Sequence, residues 1–94
     1  INLTALSNGL TVLSVCDPGA ESVSAGIWIR AGGRYESSAE AGFSHFLEHM
    51  LFEGTKKRKS SGIIANEIEK YGAEFNAYTT GDRTAFYIKI INGK

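Results

Sequence analysis

Both histidines of this 94-residue chain lie in one short stretch, and a glutamate directly precedes the second of them. If residues 43–52 form a helix, His45, Glu48 and His49 occupy positions i, i+3 and i+4 and share one face. Two neutral imidazoles at i and i+4 can reach the same zinc ion. The carboxylate beside them is then suited to act as a general base, which takes a proton from water activated by the metal and hands it to a leaving amine.

The order H-x-x-E-H is the inverse of the commoner H-E-x-x-H zinc signature and occurs among metallopeptidase motifs. Two histidines and a glutamate can also form a solvated helix face with a weak charge pair. A pattern with only three fixed positions recurs by chance, so the motif alone leaves the metal site and the solvated face equally open.

Apolar alternation predicts five strands around this stretch. Two short alternating runs flank Asn8-Gly9, which is a strong signal for a hairpin turn. Residues 22–30 alternate as a third strand, and a second hairpin encloses Thr80-Gly81-Asp82 and ends in a strand over residues 84–91. Residues 31–42 show no periodic pattern and are predicted to form a loop.

The period becomes helical between the third strand and the second hairpin. One helix is predicted over residues 43–52 and another over residues 63–71, with Ser60 or Ser61 as its N-cap and Gly72 as its stop. The apolar stripe of the first helix is predicted to face the core and consists of Phe43, Phe46, Leu47, Met50 and Leu51. We therefore predict an α+β fold, a two-layer sandwich in which a largely antiparallel sheet carries helices on one face.

The composition is that of an ordinary globular protein, with 43% hydrophobic residues, 21% charged residues and a formal net charge of zero. A balanced charge gives no indication of nucleic-acid or membrane-surface binding. No apolar run is long enough to predict a membrane span. Cys16 is the only cysteine, so it cannot form an internal disulfide.

Three blocks of the sequence, "GGRYE", "AGFSHFLEHMLFEGT" and "EKYGAEFNAYTTGDRTAFY", resemble the N-terminal part of the pitrilysin–insulinase–mitochondrial processing peptidase family of zinc peptidases. The resemblance extends over almost the whole chain and is strongest with the bacterial and mitochondrial-processing branch. It implies that His45 and His49 bind Zn²⁺ and that Glu48 is the catalytic base. The function it implies is a zinc-dependent endopeptidase that cleaves peptides or targeting presequences.

The family pattern also implies a substrate-binding strand made of Asn76, Ala77, Tyr78 and Thr79. A strand at the border of the active-site cleft would hold the peptide substrate as an added strand, mainly through backbone groups. For Asn76 the alternative is a polar residue at a turn or strand end.

One element of the family pattern is missing from the sequence. The third zinc ligand of the family is a glutamate on a later helix, and it is expected beyond Lys94; Glu67 and Glu69 lie too close to the motif to match it. The related second half of the family's proteins is also absent. We therefore expect residues 1–94 to be the N-terminal portion of a single metallopeptidase domain. Alone it would be inactive and would need the rest of the polypeptide or a second homologous subunit.

Two alternatives remain open at this stage. One is a non-catalytic scaffold or partner subunit of the same fold, and the other is a small binding module whose histidines are incidental. The resemblance is compatible with the bacterial cytoplasm or periplasm and with the mitochondrial matrix.

Overall fold

The computed structural model describes residues 1–92. Gly93 and Lys94, the last two residues of the predicted domain, lie outside the described residues. The strands and helices follow one another as β1 Asn2–Ala5, β2 Thr11–Ser14, β3 Ser22–Ile29, α1 Phe43–Met50, α2 Ser61–Lys70, β4 Glu74–Thr79 and β5 Thr84–Ile91.

The strands β3, β5 and β4 form an antiparallel sheet with β5 in the middle. The strands β1 and β2 pair with each other in a separate two-stranded sheet. Both predicted hairpins are therefore confirmed. In the first one the ladder stops at the pair Ala5 and Thr11, and Gly9 adopts a φ of 89° in the turn between them. This left-handed conformation is one that glycine adopts without steric cost.

The helices pack against the three-stranded sheet. Both helices contact β4, and α1 also contacts β5. Phe52, just beyond the end of α1, packs edge to face on Phe75 of β4 with the ring centroids 4.6 Å apart. Its centroid lies 6.0 Å from that of Phe86 of β5. The predicted two-layer α+β arrangement is confirmed.

Both helices begin and end within two residues of their predicted bounds. The helix α1 stops at Met50, two residues before the predicted end. The helix α2 begins at Ser61, because Ser60 is the N-cap and its hydroxyl accepts the Ile63 N–H at 3.2 Å. The segment predicted as a loop contains two short 3₁₀ turns, Gly33–Tyr35 and Ser38–Glu40.

Within the described residues the apolar stripe of α1, which was predicted to face the core, does not pack on the sheet. The exposed fraction of its residues ranges from 45% at Met50 and Leu51 to 65% at Phe46. The side of α1 that faces the sheet is the one with Ser44 and Glu48, which are both half-buried. The contact of Phe52 with the sheet and a hydrogen bond to Glu48 turn this side inward.

Little of the described segment is fully buried. Ala85 in the central strand is the only buried hydrophobic residue among residues 1–92, and Thr84 beside it is buried as well. On the helix-bearing face of the sheet, Val23, Ile27 and Ile29 of β3 remain largely exposed. Two apolar surfaces, the outer side of α1 and the β3 side of the sheet, are therefore uncovered in this segment.

We expect the isolated 94-residue chain to self-associate and to bind a dye specific for exposed apolar surface. Contiguous apolar patches of this kind drive association in water. Sedimentation velocity combined with thermal melting would measure the effect, and replacing Phe46 and Leu47 with glutamate should reduce it. A monodisperse monomer that melts cooperatively would contradict this expectation.

Candidate metal centre

The helix α1 begins without a capping side chain of its own. Its N-cap is Gly42, which has a φ of 90°. A carboxylate from the preceding segment supplies the missing acceptor: Glu36 accepts the Gly42 N–H at 2.8 Å and the Ser44 N–H at 2.9 Å. These groups belong to the start of the helix, where backbone amides have no acceptor within the helix. The first turn, which contains His45, is thereby held in helical form.

The same contacts change the pKa of the Glu36 carboxylate. Hydrogen bonds from Ser44, followed by those from the amides of Gly42 and Phe43, lower the pKa of Glu36. Donors that bind the ionised form favour ionisation, so this carboxylate stays charged at neutral pH. A negative charge at the start of a helix also interacts favourably with the helix dipole.

The two histidines of α1 converge on one point. Their Nε2 atoms lie 2.9 Å apart, and the ring centroids are separated by 4.6 Å with the planes inclined at 75°. Both side chains are exposed. Zinc binds imidazole nitrogens at about 2.0–2.1 Å in tetrahedral geometry, which places two such nitrogens roughly 3.3 Å apart. The observed separation is within a few tenths of an ångström of that value, so the pair fits a shared metal ion.

The pair supplies only part of a coordination sphere. Within residues 1–92, no group of three or more histidine, cysteine, aspartate or glutamate side chains could together hold a metal ion. Glu67, one of the two α2 glutamates that lie too close in sequence to match the family's third ligand, is engaged elsewhere. It accepts a hydrogen bond from Arg58 Nη2 at 2.8 Å, and this contact lowers the pKa of Glu67.

The third residue of the motif, Glu48, is oriented by the sheet. It is half-buried, and its Oε2 accepts a hydrogen bond from the Thr79 hydroxyl at the end of β4. The structure therefore brings Thr79, predicted as part of a substrate strand, into contact with the predicted catalytic carboxylate. A charge-assisted hydrogen bond of this type is stronger than one between neutral groups and restrains the carboxylate orientation.

The remaining residues of the predicted substrate strand divide between the two faces of β4. Ala77 shares the face of Thr79, whereas Asn76 and Tyr78 lie on the opposite face, as alternation along a strand requires. Tyr78 accepts a hydrogen bond from the Trp28 indole at 3.3 Å. Asn76 accepts the Ala77 N–H at 2.8 Å. The strand pairs with β5 on one side, and its other edge has no neighbour among the described strands.

The sequence did not predict the role of Glu36 or the contact of Thr79 with Glu48. Neither follows a helical or strand spacing relative to the motif, because Glu36 lies in an aperiodic segment and Thr79 is 31 positions from Glu48. Neither helix in the described part of the chain has the length and apolar character that crossing a membrane requires.

Comparison with known proteins gives a consistent picture. The model of the family "Insulinase (Peptidase family M16)" matches residues 11–94. The beta subunit of the mitochondrial-processing peptidase of Bos taurus is 48% identical over 90 residues, which are 96% of this chain and 18% of that protein. A protein of Rickettsia felis named as an uncharacterized zinc protease is 44% identical over 91 residues, which are 97% of this chain and 22% of that protein.

A solved structure shares the fold. The crystal structure of a protease from Helicobacter pylori superposes with a TM-score of 0.88 at 29% sequence identity, over 97% of this chain and 22% of that one. The chain spans about a fifth of the length of the curated relatives it matches.

We expect the isolated chain to bind zinc weakly and through both histidines. Zinc sites generally use three or four protein donors, and this segment offers two. Titration calorimetry, at a protein concentration below the onset of association, should show binding that weakens as the pH falls, because imidazole must be deprotonated to bind. His45→Ala should reduce the affinity at least about tenfold, a loss of about 1.4 kcal/mol in binding free energy.

The matched control for this titration is Glu69→Gln, which changes an exposed carboxylate on α2 and should leave zinc binding unaltered. Tight binding that survives His45→Ala would refute the two-histidine site.

Proposed function

The chain belongs to the insulinase family, peptidase family M16, and we propose that it carries the metal-binding helix of a zinc-dependent endopeptidase that cleaves peptides or targeting presequences. The family resemblance predicted from the sequence is thereby confirmed. The observation that carries the proposal is the convergence of His45 and His49 to an Nε2 separation of 2.9 Å, with Glu48 beside them on the same helix. The relatives named as a processing peptidase subunit and as a zinc protease support the same reaction class.

In this proposal the imidazoles of His45 and His49 hold the metal together with a third donor from outside residues 1–94. The third donor expected from the family pattern is a glutamate. Zinc, when bound, would supply Lewis-acid chemistry that polarises a peptide carbonyl and makes water a nucleophile near neutral pH.

Glu48 is the proposed general base. Its carboxylate accepts a proton from the water whose oxygen attacks the peptide carbonyl, and it delivers a proton to the leaving nitrogen as the carbon–nitrogen bond breaks. The Thr79 hydroxyl engages Oε2 of this carboxylate, so Oε1 is the oxygen that is available for the proton. Because Thr79 belongs to β4, the base is positioned relative to the strand proposed to hold the substrate.

The edge of β4 that faces away from β5 is the proposed place for the peptide. An extended peptide added to a free strand edge gains affinity from backbone hydrogen bonds, and this mode makes few demands on the side chains of the substrate. The direction of β4 leads from Asn76 through Ala77 and Tyr78 to Thr79, so a peptide lying along it would approach Glu48 at the Thr79 end.

The alternatives considered from the sequence are less well supported. A binding module with incidental histidines does not account for membership of a peptidase family. A non-catalytic scaffold or partner subunit would not require the complete set of His45, Glu48 and His49, which this chain retains.

In the full-length protein, we expect Glu48→Gln to abolish peptide hydrolysis while zinc stays bound. The amide keeps the shape of the side chain but cannot accept the proton, and a positioned general base contributes roughly 10²- to 10⁴-fold to a rate. Cleavage of a fluorogenic peptide and the zinc content per protein would be measured together. Glu69→Gln serves as the control and should be fully active. Near-normal turnover, or loss of zinc along with activity, would exclude the assigned role.

We expect Thr79→Val to lower kcat by about 10- to 100-fold, because it removes a hydrogen bond to a charged carboxylate. Thr79→Ser keeps the hydroxyl and should retain most of the rate. Steady-state kinetics would compare both with Thr80→Val, which removes the neighbouring hydroxyl that bonds to Asp82 in the turn. Equal rates for the valine and serine variants at position 79 would show that the hydroxyl does not orient Glu48.

A further inference from the structure

The helix that carries the motif is short and weakly supported. It has eight residues, and isolated helices of this length are unstable in water. Its outer apolar side is exposed, so packing within residues 1–92 stabilises it from one side alone. His45 is the third residue of the helix, which places it in the first turn, where unwinding begins. If that turn unwinds, His45 loses the i, i+4 relation to His49 on which the shared site depends.

The acceptor that keeps this turn closed is Glu36. The carboxylate is half-buried and binds two amides with different oxygens, Oε1 to Gly42 and Oε2 to Ser44. The second of these amides belongs to the residue directly before His45. A carboxylate that binds two donors with two oxygens restrains both their distance and their direction.

The segment that presents Glu36 is itself fixed to the turn of the β4–β5 hairpin. The Arg34 N–H donates to the Gly81 carbonyl at 2.6 Å, and the buried Thr84 hydroxyl donates to the Ala31 carbonyl at 2.9 Å. Between them, Gly32 approaches the hairpin so closely that a Cβ on it would lie 2.2 Å from the Thr80 carbonyl oxygen. A side chain cannot be accommodated there without moving the backbone.

Two connections thus join the hairpin to the motif helix. One runs directly from Thr79 to Glu48, and the other runs from the turn through residues 31–36 to the first amides of α1. We propose that Glu36 is a positioning residue of the metal-binding helix, which closes its first turn and sets His45 and Glu48 relative to the end of β4. This inference rests on the proposed function, since it concerns the same site.

The test uses the full-length protein with Glu36→Ala and Glu36→Gln. Each variant is assayed well below its own Tm for zinc affinity, by competition with a chelator, and for kcat and KM on a peptide substrate. The matched control is Glu40→Ala, which removes a carboxylate from the same segment; Glu40 accepts the Ser37 N–H at 3.1 Å and caps a 3₁₀ turn instead of α1.

We expect Glu36→Ala to weaken zinc binding at least about tenfold and to lower kcat, with KM within about twofold of the unaltered protein. The zinc affinity and kcat of Glu36→Gln should lie between those of the alanine variant and those of the unaltered protein, because the amide oxygen can accept one N–H while the amide nitrogen cannot accept the other. If the alanine variant does not fold, the glutamine variant alone tests the inference. Glu40→Ala should match the unaltered protein in zinc affinity and kcat.

A lower Tm for both Glu36 variants with unchanged zinc affinity and kcat would overturn the inference, because that result describes a residue that serves stability alone. Failure of the proposed function has a different signature. It would appear in the unaltered full-length protein as absence of zinc binding or of hydrolysis. If that protein binds zinc but cleaves nothing, the zinc affinities of the variants still decide the role of Glu36.

Discussion

Hydrogen bonds at the turn end of the β4–β5 hairpin set the position of α1 on the sheet. The Thr79 hydroxyl binds the Glu48 carboxylate, and Glu36, on a segment bonded to the hairpin turn, binds the first amides of the helix. Without these bonds the rotation of this eight-residue helix, whose apolar side is exposed, would be restrained mainly by the contact of Phe52 with the sheet. The convergence of the two imidazoles depends on that helix being intact through its first turn.

The orientation of α1 places a carboxylate, and not the apolar stripe, against the sheet. A helix normally places its apolar stripe against the core, yet here the stripe with Phe46 and Leu47 points away from the sheet. Glu48 occupies the inward side, where the hydroxyl of Thr79 satisfies one of its oxygens. A carboxylate that faces a sheet is acceptable only when it is hydrogen-bonded, so this contact compensates for the polar group that the arrangement turns inward.

The organisation of polar groups at the hairpin turn supports the same arrangement. Gly32 allows the preceding segment to lie against the turn, and Thr84, buried beside Ala85, uses its hydroxyl to bind that segment. Gly32 and Thr84, two of the few buried residues in the described part of the chain, therefore lie where the segment before the motif helix meets the hairpin. The outer side of α1 and the β3 side of the helix-bearing sheet face remain exposed.

Local patterns in the sequence determined the elements and the motif. Alternation and turn residues predicted both hairpins, and the spacing of His45 and His49 was sufficient to place them on one helical face, because these relations are set within a few residues of one another. Tertiary structure decided which side of α1 meets the sheet, which hydroxyl orients Glu48 and which carboxylate closes the first turn. Those outcomes depend on contacts between segments, up to 31 residues apart for Glu48 and Thr79, that follow no helical or strand period. The apolar stripe alone did not predict which side of α1 meets the sheet, because periodicity identifies an amphipathic face, and only the surrounding chain determines what covers it.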